Sequence, residues 1–354
     1  MITNAHGNLL EADVEALVNT VNTVGVMGKG IALQFARAFP AMLSAYEKAA
    51  KRGEVRLGEM HVWANDAMSG PRWVINFPTK GHWRARSRMI DIESGLADLV
   101  RVIREHGITS VAIPPLGCGN GGLRWTDVRP LIEHALADLS NVDVRLYPPA
   151  GAPTAEAMPT RTRRPSWTPG KAALVAIVAR YSERALDVSL IEVQKLMYFL
   201  QVAGEPLRLK FERGIYGPYA DNLRHSLGRV EGHFLTGFGD ASSSVTSAEP
   251  ISLIEGAAEE AEAELSALPA TRARIERVLA LSDGFETAYG MELLATVHWV
   301  ATTHETGTVH NAASASELIS KWSQRKKGMF GPDHVEAAWR RLHDEGWFEA
   351  RDDG

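Results

Sequence analysis

Residues 19–32, NTVNTVGVMGKGIA, set the tightest limit on what this chain can become. They follow an apolar run at 14–18 with the length of a buried strand, and they lead into a helical pattern carried by Ile31, Leu33, Phe35 and Ala36. Gly25, Gly28 and Gly30 lie between. A glycine-rich turn from strand to helix leaves backbone N–H groups free at the positive end of the helix, which suits a phosphate or diphosphate. The spacing is not the dinucleotide fingerprint GxGxxG, and no Gly-Lys-Ser/Thr follows as a P-loop requires. From these residues alone the turn reads equally as a plain strand-to-helix connection.

What surrounds the turn narrows the choice. Strand-like runs at 14–18, 60–64, 73–77, 111–114 and 142–147 alternate with helical patterns at about 31–38, 41–52, 89–106 and 127–139. Such alternation predicts an α/β domain over residues 1–150, with helices on both faces of a mostly parallel sheet. Ligands of these sheets bind beyond the carboxyl ends of the strands. Asn19 and Asn22 follow the first of these runs, and either can cap a turn. Pro78-Thr79-Lys80-Gly81-His82-Trp83 follows the third run, and PPLGCGNGG (114–122) follows the fourth. Two glycine loops and a lysine-bearing loop are thereby expected on one rim, where backbone approaches a ligand closely because no side chain intervenes.

Composition removes several function classes. The 354 residues suffice for two domains, and 45% hydrophobic with 23% charged residues is a globular balance. No run of 18 apolar residues predicts a membrane span, and the start lacks the basic-then-apolar order of a secretory signal. The single cysteine, Cys118, excludes an internal disulfide and a cysteine-based zinc site, and fits a reducing cytoplasm. No metal or cofactor is expected.

Taken together, GNLLEADVEALVNTVN (7–22), GVMGKGIA (25–32) and PPLGCGNGGLRW (114–125) resemble the macrodomain family, the ADP-ribose-binding α/β module. NFPTKGHW (76–83) and Trp125 are more closely similar to the DarG type, antitoxins of a toxin that ADP-ribosylates thymidine in single-stranded DNA. The resemblance implies a DNA ADP-ribosyl glycohydrolase. It places Gly7, Asn8 and Leu9 at the adenosine, and Thr20, Val21 and Asn22 at the distal ribose. It sets Ile31, Ala32, Leu33 and Gln34 under the diphosphate, with Thr79 on the same rim. Gly117, Cys118, Gly119, Asn120 and Gly121 close the other side.

The same resemblance makes Lys80 the catalytic residue. Cleaving the bond from ribose C1″ to a thymine nitrogen demands stabilisation of an oxocarbenium-like centre and help for the departing base. A lysine can attack C1″ through an opened-ring Schiff base, or it can protonate the base or orient water, and both roles are open at this point. Relatives that release ADP-ribose from proteins carry an aspartate two residues beyond the Gly-Cys-Gly, where this chain has Gly121. Lys80 therefore lacks an evident carboxylate partner. Cys118 has no histidine beside it in the sequence and reads as a small residue in a tight loop.

Next to Lys80 runs HWRARSR (82–88). An aromatic followed by alternating arginines has the composition of a single-strand nucleic-acid surface, with Trp83, Arg84, Arg86 and Arg88 as candidate DNA contacts. It reads as well as a basic loop before a helix, with Ser87 as its N-cap.

A stretch rich in proline and small residues at 151–170 predicts a semi-rigid or disordered linker. Beyond it, 171–354 reads as mainly helical, at roughly 171–183, 189–203, 219–229, 255–267, 271–282, 286–303, 315–325 and 333–344. Ser314 and Glu317 form a capping-box pattern for the helix near 315, and Gly346 reads as the stop of the last. His298, His304, His310 and His334 are not at zinc-ligand spacing. QKLMYF (194–199) with FERGIYGPY (211–219) has weak similarity to the Panacea-type antitoxin domain, and reads equally as helix core followed by a tight turn. Net charge is +3 over 1–165 and −8 over 166–354. An acidic second domain behind a DarG-like macrodomain implies a partner with a cationic groove, the cognate DarT-type toxin, although runs such as 255–264 are commonly solvated helix faces. Two other functions fit the first domain less well: a macrodomain that binds ADP-ribose without cleaving it, and a protein ADP-ribose hydrolase.

Overall fold

The computed structural model describes residues 1–303 and 309–348. His304 lies outside them. The chain divides into two units, one of Met1–Arg163 with Asp240–Ser242 and one of Arg164–Gly239 with the residues from Ser243 on.

Unit 1 is built on a six-stranded sheet of β1 (Ile2–Asn4), β2 (Ala16–Asn22), β3 (His61–Ala64), β4 (Trp73–Lys80), β5 (Ser110–Ile113) and β6 (Asp143–Leu146). The order is β1-β6-β5-β2-β4-β3, and only β3, at the edge, runs antiparallel to its neighbour. β2 and β4 are buried along nearly their whole length, as strands covered on both faces must be. Alternation assigns each residue a face. Ala16, Val18, Ile75 and Phe77 pack under α3 (Met89–Glu105) and α4 (Trp125–Leu136), whereas Leu17, Val21 and Val74 pack under α1 (Ile31–Ala38) and α2 (Pro40–Lys51). This is the mostly parallel sheet with helices on both faces that the sequence implies. α3 lies close on β4 because Gly95 has no side chain there: a Cβ would sit 2.3 Å from the Phe77 ring.

The first expected strand, 14–18, is displaced. β2 runs Ala16–Asn22, so Asn19 is a buried strand residue rather than a turn cap. Its amide donates to Asn76 Oδ1 at 2.9 Å, and the Asn76 amide donates to His61 Nδ1 at 3.1 Å. This ladder of polar side chains crosses β2, β4 and β3 inside the sheet. Burial lowers the His61 pKa, which keeps its ring neutral and Nδ1 an acceptor. The segment after β6 is ordered: Ala155–Ala157 forms a 3-10 turn, the Ala157 carbonyl accepts from Asn8 at 2.8 Å, and Arg161 N–H donates to the Arg37 carbonyl at 2.9 Å.

Unit 2 is mainly helical: α5 (Pro169–Ser182), α6 (Leu190–Val202), α7 (Leu223–Val230), α8 (Ala257–Leu265), α9 (Pro269–Ser282), α10 (Ala288–Thr302), α11 (Ala312–Trp322), α12 (Gln324–Met329) and α13 (Pro332–Asp344). α5, α6 and α10 are apolar nearly all round, the pattern of helices enclosed by others. Inside α6, Lys195 is buried with its amine on the Pro218 carbonyl at 2.7 Å, and burial pushes its pKa down to about 7. Lys326, also buried, sits on Glu292 at 2.7 Å, and Arg325 adds a two-pronged pair to the same carboxylate at 2.6 and 3.0 Å.

Three expectations in this unit are corrected. The region 219–229 is not one helix: β7 (Phe211–Gly214) and β8 (Gly217–Ala220) form a hairpin, and α7 starts only at Leu223. The two-residue Ile-Tyr turn brings Gly217 to φ +85°, and Pro218 has no N–H to continue a helix. The helix near 315 starts earlier, at Ala312, because Asn311 rather than Ser314 is its cap and accepts from Ser314 N–H at 2.9 Å. It also ends at Trp322; extended Ser323 breaks it and caps α12. A second small sheet, β9 (Leu235–Thr236) with β10 (Ser252–Leu253), has no signal in the sequence.

Candidate active site

Lys80 is the last residue of β4, at the carboxyl-terminal rim of the sheet. Its register partner on β2 is Asn22, reached across a one-residue irregularity after Val21. Such bulges turn side chains near sites. The Lys80 amine donates to two backbone carbonyls, Trp83 at 3.1 Å and Asn120 at 3.2 Å. One belongs to the lysine loop and the other to the second glycine loop, so the amine bridges them. Partial burial lowers its pKa. The two carbonyls fix the position of the amine between the loops.

The second loop folds tightly on itself. Gly122 N–H donates to the Gly119 carbonyl and Leu123 N–H to that of Gly117, both at 3.0 Å. It faces the first loop directly, because a Cβ on Gly30 would stand 3.3 Å from Asn120 Nδ2. The convergence of the two glycine loops is therefore present. Gly121 is dictated by space: a Cβ there would lie 2.3 Å from Ser87 Oγ and 2.4 Å from the Gly117 carbonyl oxygen. An aspartate cannot stand at this position without moving backbone. Ser87 is not the N-cap of α3, which is Arg88; its N–H holds the Gly121 carbonyl at 3.0 Å, and its hydroxyl is buried without a protein partner.

Asn22 is held within the first loop. Its amide donates to the Val26 carbonyl at 2.6 Å while Oδ1 accepts from Val24 and Val26 N–H at 3.1 and 3.3 Å, and Tyr46 OH reaches the Asn22 carbonyl. It shapes the first loop with one N–H of its amide, which leaves the second N–H outside that bond. Asn8 is engaged too, capping the 3-10 turn Leu9–Glu11 and holding Ala157. Thr79 and Val21 are buried, with Thr79 Oγ1 on the Val21 carbonyl at 3.3 Å. Thr20, Ile31, Ala32 and Leu33 keep partial exposure, and Gly7 and Gly119 are exposed. Gln34 is buried and donates to Asp240 Oδ2 at 2.6 Å, and Gly30 N–H donates to the Asp240 carbonyl at 2.9 Å. Nothing local in the sequence marks Asp240, Tyr46 or Ser87 as parts of this region.

Cys118 Sγ lies 3.5 Å from the Leu116 carbonyl, and burial, aided by Asp127, pushes its thiol up to about 11. It is a thiol at neutral pH and not a nucleophile. Among the described residues no three His, Cys, Asp or Glu side chains group as a metal site. No helix among them is long and apolar enough to cross a membrane.

The candidate DNA contacts separate into two kinds. Trp83 is 45% exposed and carries the Arg84 guanidinium over its ring at 4.4 Å. Arg86 is exposed and forms no ion pair among the described residues, whereas Arg88 is clamped by Asp91 at 2.7 and 2.8 Å.

The model of the Macro domain family matches residues 18–132. A DNA ADP-ribosyl glycohydrolase of Mycobacterium tuberculosis is 45% identical over 97% of this chain and 99% of its own length. The solved macrodomain of Mycobacterium tuberculosis DarG is 60% identical, covering 42% of this chain and 99% of that one, with a TM-score of 0.42. A Thermosipho africanus protein described as a fusion of DNA ADP-ribosyl transferase and DNA ADP-ribosyl glycohydrolase is 34% identical over 40% of this chain and 40% of its own. With a relative matched at this identity over nearly the whole of both chains, the chain belongs to the DNA ADP-ribosyl glycohydrolases.

Proposed function

We propose that this chain removes ADP-ribose from thymidine in single-stranded DNA, and that its helical unit binds and neutralises a cognate DarT-type toxin. The supporting observation is the Lys80 amine, held between the two glycine loops by the Trp83 and Asn120 carbonyls. Extended between these loops, ADP-ribose presents the anomeric carbon of its distal ribose to that amine.

The lowered pKa favours Lys80 as the nucleophile, and the two carbonyl acceptors fix where its amine stands. Its lone pair forms a bond to C1″ as the bond to the thymine nitrogen breaks. The bonding pair leaves with the base, which takes up the proton that the attacking amine sheds. The bond from C1″ to the ring oxygen then breaks, that oxygen taking a proton from water, as the nitrogen lone pair makes the protonated Schiff base. Water adds to that carbon and releases ADP-ribose and the free amine. No carboxylate is required, which agrees with the space that Ser87 denies to a side chain at 121.

Borohydride added during turnover of a thymidine-modified oligonucleotide tests this chemistry. Reduction should leave one ADP-ribose on the wild-type chain at Lys80, and Lys80→Ala should lose activity by about 10²–10⁴-fold with no adduct. An active wild-type enzyme that is never trapped would sink the Schiff base.

Toxin neutralisation is supported by the transferase–glycohydrolase fusion, in which the two activities share one chain, and by the net charge of −8 over residues 166–354. Co-purification of this chain with its cognate toxin, in wild-type and Lys80→Ala forms alike, tests it. Loss of toxicity only where hydrolysis survives would reject neutralisation by binding.

A further inference from the structure

The loop from Gly81 to Ser87 is fixed at both ends and free between them. Thr23 Oγ1 donates to the Gly81 carbonyl at 2.7 Å, and Ser87 N–H donates to the Gly121 carbonyl at 3.0 Å. Between these anchors His82, Trp83, Arg84, Ala85 and Arg86 are all exposed. The chain turns tightly there, with Ala85 N–H on the His82 carbonyl at 2.9 Å and Arg84 N–H on His82 Nδ1 at 3.2 Å. Trp83 thus has two ends with different surroundings: its carbonyl holds the Lys80 amine, and its indole stands in solvent beneath a guanidinium.

We infer that Trp83 is a specificity and positioning residue, whose indole stacks the departing base while its carbonyl keeps the Lys80 amine on C1″. The inference rests on the reaction proposed above. Whatever leaves is bonded to the carbon that the amine attacks, and so lies within a tryptophan side chain's reach of residue 83. A nucleobase is flat and stacks on an indole more strongly than an exposed guanidinium does. It therefore displaces Arg84, whose guanidinium is then free to meet a strand phosphate. A carboxylate or phosphate leaving group offers no ring to stack and leaves Arg84 where it is. Stacking also pins residue 83, and with it the carbonyl that aims the amine. Selection of a base-linked substrate and placement of the reacting group thereby act through a single residue.

The test uses the full chain as wild type, Trp83→Ala and Trp83→Phe, with two substrates: a thymidine-modified oligonucleotide and ADP-ribose 1″-phosphate, which has no base. Trp83→Ala should lower kcat/KM on the oligonucleotide about 5- to 150-fold, the range of one lost base–aromatic stack. It should lower turnover of the phosphate ester distinctly less, because that substrate has no base to stack. Trp83→Phe should recover most of the loss. Affinity for free ADP-ribose, measured by calorimetry, should be the same in all three chains. Equal losses on both substrates, or weaker ADP-ribose binding, would make Trp83 merely structural and overturn the inference. Wild-type turnover of the oligonucleotide by Trp83→Ala would overturn it too, with the proposed substrate left standing. A wild-type chain inert on that oligonucleotide would instead remove the substrate proposal and the inference built on it.

Discussion

Ser87 and Gly121 exclude each other's alternatives: the hydroxyl of one stands 2.3 Å from where a Cβ of the other would be. The Gly117 carbonyl oxygen is almost as close, at 2.4 Å, and it is backbone. Gly121→Ala should therefore be destabilising by about 1–3 kcal/mol. Combining it with Ser87→Gly should recover little, because the carbonyl clash remains. Thermal unfolding of the single and double variants checks this, and full recovery in the double variant would show that the hydroxyl alone was in the way.

The arginines beside the site should not contribute equally to strand binding. Arg88 is committed to Asp91, whereas Arg86 has no ion pair among the described residues. Each phosphate neutralised on a single strand adds about 0.7 to the slope of log K against log salt. Arg86→Ala should reduce that slope by roughly this amount, and Arg88→Ala by distinctly less. Fluorescence titrations of a modified oligonucleotide at four salt concentrations measure both. A larger change for Arg88 would contradict the geometry.

His298 carries the acid sensitivity of unit 2. Its ring is buried, with Tyr198 OH at 2.7 Å from Nδ1 and the Trp347 carbonyl 3.1 Å from Nε2, an arrangement suited to a neutral ring that accepts at one nitrogen and donates at the other. Burial pushes its pKa down from 6.5 to about 4. The unfolded chain binds the proton first, so the stability from this group is complete above pH 6.5 and is lost as pH falls toward 4. The full loss is about 3 kcal/mol. Urea unfolding at stepped pH should show this decline in the wild type and a shallower one in His298→Leu.

Glu292 answers two cations, and one of them, Lys326, is wholly buried. Glu292→Gln removes the charge while keeping the shape, and should destabilise unit 2 by about 3–5 kcal/mol. Lys326→Met in the same chain should return part of that loss, because the unpaired ammonium is then gone. A double variant no more stable than Glu292→Gln alone would place the energy in Arg325.

The sheet, its flanking helices and the meeting of two glycine loops at Lys80 were legible in the sequence because each rests on local pattern: apolar runs, helical periodicity, glycines after strands. Distant partners were not. Asn19 looks like a turn residue until Asn76 is found beside it on the neighbouring strand, and that partner is 57 positions away. The bonds by which Asn22 shapes the loop it begins, to Val24 and Val26, carry no signal in the sequence either. Ser87 resembles a helix cap because it precedes α3, yet its role comes from glycines 30 and 34 positions further on, the spacing that Gly117 and Gly121 show. The hairpin of β7 and β8 escaped because two glycines around Ile-Tyr carry no apolar alternation.

Both acceptors that seat the Lys80 amine are main-chain oxygens. An alanine scan is blind to them, since every substitution at 83 or 120 keeps the peptide group. The seat is instead vulnerable to length: adding or deleting one residue between 81 and 86 would carry an oxygen away while every named side chain stayed intact. The seating of the amine thereby survives substitution at 83 and 120 but not insertion.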